Sequence, residues 1–228
     1  MAAAPTRIDT EADLKSALAR LLKADPRLRA LVDVSGPPPL RRRAGGFAGL
    51  ASIIVGQQLS TASAAAIWGR LSAAFDPFDH ADIRRARAAK LARIGLSAAK
   101  IRTMKAVSKA IEDKHIDLDA LAAMPADDAH NALIALHGIG PWTADVYLLF
   151  CLGHSDAWPA GDLALQEAMR LAFGLTTRPS AKEMVALAEN WRPWRGVAAK
   201  LLWAYYRAVK GRDVTPIQPL KRGKKNGR

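Results

Sequence analysis

Two features between Leu133 and Arg170 could do chemistry. Leu136-His137-Gly138-Ile139-Gly140 runs directly into Pro141, and Asp162 follows Trp158-Pro159-Ala160-Gly161 and precedes Leu163-Ala164-Leu165. Two glycines permit left-handed backbone and leave the main chain bare for close approach. Pro141 suits the first position of a helix, where its missing N–H costs nothing. The N–H groups around Gly138, Gly140 and Thr143 would then point outward at a helix N-terminus, which binds an anion such as a phosphate. Carbonyls facing the other way, those of Ile134, Leu136 and Ile139, could hold a monovalent cation. Asp162 suits an N-cap. Its apolar flanks also make an ionised carboxylate costly unless it has a task. The two roles are compatible, because a cap fixes the direction of the carboxylate. Asp145, the rival carboxylate, is expected to contact structure or backbone.

Helices must position these residues, and nearly every periodic segment reads as helix. Thr10 with Asp13 makes an approximate capping box ahead of Leu14, Leu18, Leu21 and Leu22. Gly45 and Gly46 open an apolar stretch that ends near Gly56. Ser60 caps an Ala-rich helix, Asp79 or Asp82 starts another through Leu91, and Ser97 caps a third. Asp117 to Met124 reads as a short helix. Further helices follow at about 126–136, 141–152, 162–173, 180–191 and 196–210, with Ser180 and Glu183 forming a full capping box. No segment alternates long enough to make a strand. The fold class is therefore all-α.

Composition bounds the partners. Lys and Arg outnumber Asp and Glu by 34 to 21, a net charge of +13. A field of that sign attracts polyanions. The single cysteine, Cys151, excludes internal disulfides and a four-cysteine iron–sulfur cluster. It lies in an apolar helical run and reads as a buried free thiol. The N-terminus lacks the pattern of a signal peptide, and no apolar run approaches the ~20 residues of a membrane span. A soluble intracellular monomer that requires no cofactor is expected: cytoplasmic and nucleoid-associated if bacterial, nuclear if eukaryotic. His80, His115, His130, His137 and His154 show no metal-ligand spacing and read as surface loop residues.

The string LxxLHGIGPWTAD resembles the helix-hairpin-helix motif of the DNA glycosylase superfamily that carries a Gly/Pro-rich loop and an aspartate. WPAGDLALQEAMR resembles that loop and the helix after it. SIIVGQQLSTASAAAIWGRL resembles the strand-penetrating region of the 3-methyladenine DNA glycosylase II branch, and WRPWRGVAAKLLWAYY its C-terminal helix. The four motifs occur in the expected order over roughly residues 45–208. Few residues precede Phe47, which suggests the compact form without an N-terminal β domain.

The resemblance implies two helical lobes with a DNA-binding cleft between them. Residues 44–153 would form one lobe, residues 1–43 plus 154–211 the other, and residues 212–228 a basic, disordered tail. It implies hydrolysis of the N-glycosidic bond of alkylated bases, such as 3-methyladenine or 7-methylguanine, flipped out of double-stranded DNA. Asp162 would be catalytic, and Gln58 and Leu59, beside Gln57, would form the wedge that fills the vacated stack. Trp142, Trp203, Val146 and Leu163 would line the base pocket. Two of these, Val146 and Leu163, are not aromatic, which leaves the substrate range open. Bifunctional relatives carry a lysine where this chain has Trp142, so no Schiff base is expected. A non-catalytic hairpin module, or a glycosylase for oxidised or deaminated bases, remain the alternatives.

Overall fold

The computed structural model describes residues 6–211; the basic segment 212–228 lies outside the described residues. Twelve α-helices carry the described residues. They are α1 (Glu11–Ala24), α2 (Arg29–Ser35), α3 (Gly46–Gly56), α4 (Thr61–Ala74), α5 (His80–Arg85) and α6 (Ala88–Ile94). After these come α7 (Ala98–Glu112), α8 (Ala126–Ile134), α9 (Pro141–Tyr147), α10 (Leu163–Phe173), α11 (Ala181–Ala188) and α12 (Arg195–Lys210). Among the described residues the only β pairing is an isolated bridge between Arg7 and His154. The all-α expectation is met.

The side chains read as caps do cap. Thr10 and Asp13 form a reciprocal box at α1, and Ser180 and Glu183 another at α11. Ser60, Asp79 and Ser97 accept N–H bonds at the starts of α4, α5 and α7. Other boundaries differ from the sequence expectation. The helix expected from Asp79 to Leu91 is broken between α5 and α6, where Lys105 Nζ donates to the carbonyls of Arg84 and Ala86 at 3.0 and 2.7 Å. The segment from Asp117 to Met124 forms only a 3₁₀ turn, Ala120–Ala123. Beyond α9 the coil widens to π geometry over Leu148–Leu152, and α2 was not anticipated.

Burial explains the packing. α1 buries Leu14, Ala17, Leu18 and Leu21, one stripe at helical spacing. By contrast, α3 buries residues around most of its circumference, and α12 buries ten in succession from Arg195 to Ala204. These two are the central helices. α4, α7 and α9 pack on α3, while α1, α2 and α10 pack on α12. Gly196 lets the two sets meet closely: a Cβ there would lie 2.7 Å from Leu149 Cδ1 and 2.8 Å from Ser155 O. An ionic cluster joins the same region. Arg195 reaches Asp127 and Asp156, and Arg192 reaches Asp127, Asp156 and Glu189.

Three histidines depart from the surface-loop expectation, and the first, His80, begins α5 and is half-buried. His154 is buried, with Nε2 2.9 Å from Leu121 O, and burial lowers its pKa. His130 is half-buried against Asp145. Cys151 is buried as expected, and burial pushes its thiol up to about 12.

Buried Asp25 ties α1 to the turn before α12. It accepts from Arg27 Nε at 2.8 Å, Arg27 Nη2 at 2.7 Å and Trp191 Nε1 at 2.9 Å. The hydrogen bonds from Arg27 are the main cause that holds its carboxyl down at about 2. A depressed carboxylate stabilises the fold above the unfolded value, and that contribution is lost as pH falls from ~4 toward ~2. Asp25→Asn should therefore cost about 2 kcal/mol at neutral pH and flatten the acid limb in that window. Urea melts of both proteins across the pH range check this.

Candidate active site

Asp162 ends the Pro159–Gly161 loop and caps α10. The loop is held from within: Asp162 N–H donates to Pro159 O at 2.9 Å, and the buried Gln166 Nε2 donates to Ala160 O at 2.9 Å. The carboxylate is 8% exposed. Its Oδ1 accepts the Leu165 N–H at 2.9 Å and the Trp203 indole N–H at 3.2 Å, while Oδ2 accepts the Trp142 indole N–H at 2.8 Å. Trp142 sits on α9 and Trp203 on α12, so the carboxylate lies where the two sets of helices meet. A carboxylate offers about four acceptor sites. Three donors fill three of them and leave one, on Oδ2.

The expected pocket residues differ in exposure. Trp203 is 1% exposed and stacks on Phe150 at 5.7 Å between ring centres. Val146 is fully buried, Leu163 is 63% exposed, and only Trp142 is half-buried beside Asp162. Trp142 and Trp203 meet at the Asp162 carboxylate, and Leu163 follows Asp162 in the chain. Both indoles present their N–H edges to the carboxylate. A recess of about 700 Å³, lined in part by Gly45, Phe47, Phe78 and His80, contains none of the expected site residues. Asp145, the rival carboxylate, is buried and pairs with His130 Nδ1 at 2.8 Å. Burial raises the Asp145 pKa, and the Asp145 hydrogen bond raises that of His130.

The hairpin lies between α8 and α9. Gly138 has φ +80°, and a Cβ there would fall 1.9 Å from Thr103 Oγ1, so both conformation and space demand glycine. Gly140 is different: a Cβ would meet nothing within 4 Å. Its bareness serves no internal packing and leaves the surface open to an outside group. Within α9 the Ala144 N–H bonds back to Gly140 O at 3.1 Å, and the N–H groups of Trp142 and Thr143 precede it at the helix start. Thr143 is buried, and its hydroxyl accepts the Gln57 side-chain amide.

Gln58 and Leu59 follow α3 on an exposed loop. Gln58 is exposed with φ +56°, and Leu59 is 40% exposed. Two supports of this loop were not visible in the sequence. Lys100 Nζ donates to Val55 O at 2.8 Å and Gln57 O at 2.9 Å, and Gln57 Nε2 donates to Thr143 Oγ1 at 2.8 Å. The first places a cation at the negative end of α3. Burial lowers the Lys100 pKa.

Comparison with known proteins places this geometry. Residues 51–193 match the family described as HhH-GPD superfamily base excision DNA repair protein. The probable bifunctional transcriptional activator/DNA repair enzyme AlkA of Mycobacterium tuberculosis is 32% identical over 206 residues, 86% of this chain. The chain spans 40% of the length of that relative. The alkylbase DNA glycosidase-like protein mag2 of Schizosaccharomyces pombe is 26% identical over 85% of this chain and 94% of its own length. The solved 3-methyladenine DNA glycosylase of Schizosaccharomyces pombe, in complex with abasic DNA, superposes with a TM-score of 0.75 at 26% identity, over 88% of this chain and 99% of that one. A DNA-3-methyladenine glycosidase from Bacillus halodurans gives 0.74 at 26% identity, over 93% and 95%. With the family match covering more than half of its residues, the chain belongs to the HhH-GPD superfamily of base excision DNA repair proteins.

Proposed function

We propose that the protein is a monofunctional DNA glycosylase that removes alkylated bases from double-stranded DNA and so begins base excision repair. The observation that carries this reading is Asp162, held by three N–H donors with one acceptor site left on Oδ2. Cleavage of an N-glycosidic bond builds positive charge on the sugar. A fixed carboxylate beneath C1′ stabilises that charge and deprotonates the attacking water. General-base help of this kind is worth about 10²- to 10⁴-fold. An N-alkylated purine already carries positive charge, so it leaves without a strong acid. The face of Trp142 attracts such a base by ~0.5–2 kcal/mol.

The hairpin supplies the grip. Main-chain N–H groups of Gly138, Gly140 and Thr143 take a backbone phosphate, which positions the duplex. A monovalent cation fits the carbonyls of Ile134, Leu136 and Ile139, because the donors are neutral oxygens. Leu136 O accepts the Ile139 N–H at 3.1 Å and keeps a second lone pair. Gln58 and Leu59 fill the space left when the target base leaves the stack, a step that costs a few kcal/mol. The protein acts as a monomer, cytoplasmic in a bacterium and nuclear in a eukaryote.

Lyase chemistry needs an amine at the sugar. Trp142 stands where bifunctional relatives have one, and its N–H is committed to Asp162. Burial pulls buried Lys200 down to about 7, but its Nζ donates to Leu40 O at 3.0 Å and sits 4.4 Å over the ring of Phe150.

Incubation with methylated duplex DNA should release 3-methyladenine or 7-methylguanine, identified by chromatography. The abasic strand should stay intact, and borohydride should trap no adduct. Absence of any methylated base among the products contradicts the assignment. The hairpin glycines should separate two effects. Gly140→Ala should change stability by less than ~0.5 kcal/mol while weakening DNA affinity with the salt slope unchanged, because no cationic side chain is removed. Gly138→Ala should cost more than ~1 kcal/mol of stability, through strain and the clash with Thr103. Calorimetry and salt-titrated binding check both.

A further inference from the structure

We propose that Gln57 is a positioning residue that makes wedge insertion and alignment of the catalytic carboxylate one event. The proposal rests on the glycosylase reading above. Three elements converge on Gln57. Its main-chain carbonyl, at the end of α3, accepts Lys100 Nζ at 2.9 Å, and the same ammonium holds Val55 O at 2.8 Å. Its side-chain amide crosses to α9 and donates to Thr143 Oγ1 at 2.8 Å. The next residue of the chain is Gln58, whose left-handed backbone turns the exposed loop outward.

Thr143 stands one residue after Trp142, whose indole N–H holds Asp162 Oδ2 at 2.8 Å. A push on the Gln58–Leu59 loop is thus transmitted through one side-chain amide to the first turn of α9, and from there to the carboxylate. α7 makes this strap stiff. Lys100 and Thr103 lie three residues apart on one face of α7. Lys100 fixes the base of the loop, and Thr103 packs beneath Gly138 of the hairpin. Both DNA-facing loops therefore stand on one helix, and Gln57 links them above it. A loop that only filled space would need no bond to α9.

The test compares base release under single-turnover conditions from two substrates. One carries a methylated purine in a matched duplex. The other carries it in a mismatched stretch, where opening the stack costs less. Gln57→Leu and Thr143→Val each remove the bond and leave the Thr143 N–H in place. Each should slow release from the matched duplex about three- to tenfold, the range of one lost hydrogen bond. Release from the mismatched substrate should fall by a clearly smaller factor, because wedge insertion is less demanding there while alignment of the carboxylate is still needed. The double variant should be no slower than the worse single one, and Thr143→Ser, which keeps the hydroxyl, should restore release. Equal losses on both substrates, or losses that multiply in the double variant, overturn the strap alone. A wild-type protein that releases nothing from either substrate overturns the glycosylase reading and this inference with it.

Discussion

The site depends on the convergence of three N–H donors on one carboxylate. Removing a charge from water is costly unless hydrogen bonds replace the lost solvent, and the Leu165 N–H, the Trp142 indole and the Trp203 indole do so for Asp162. The donors come from α10, α9 and α12. The carboxylate is therefore well placed only if these helices are correctly packed against one another. Gly196, the Arg192–Arg195 ionic cluster and the Phe150–Trp203 stack all lie at or near this junction and fix its geometry. The core is built so that a local cap on α10 becomes a tertiary cap shared by both sets of helices.

This arrangement changes what the tryptophans do. Indole edges that donate to a carboxylate have their faces set by that bond. Trp203 is spent on the core and on Asp162, and only Trp142 keeps a partly open face. In the proposed reaction, recognition by one aromatic face and a cationic leaving group favours bases already weakened by alkylation over neutral ones. The hairpin is a separate module. Gly138 is required by Thr103 beneath it, while Gly140 faces outward and is free to meet a phosphate.

Much of this was legible in the sequence where the physics is local. Thr10, Ser60, Ser97 and Ser180 cap because a short polar side chain before a helix can bond back within a few residues. The Asp162 cap was legible for the same reason, and Gly138 because a left-handed turn favours glycine. What stayed hidden depends on residues far apart in the chain. The break between α5 and α6 is bridged by Lys105, and the loop after α3 is tied down by Lys100 and Thr143. Periodicity marks Trp203 as apolar and helical but does not say whether its face meets a ligand or its edge meets a carboxylate. His154 read as a surface histidine because its partner, Leu121 O, belongs to another element.

In the proposed reaction the charge of Asp162, rather than its capping bond, drives base release. An asparagine at this position offers one acceptor oxygen where three donors converge, so it also disturbs Trp142, and Trp142→Phe is the necessary companion. The decisive measurement is the single-turnover rate of alkylbase release by Asp162→Asn and Trp142→Phe, with DNA affinity measured on the same samples. The account predicts a loss of about 10²- to 10⁴-fold for Asp162→Asn with affinity retained, and only about tenfold for Trp142→Phe. Release by Asp162→Asn at the wild-type rate, or an equal loss in both variants, would contradict it.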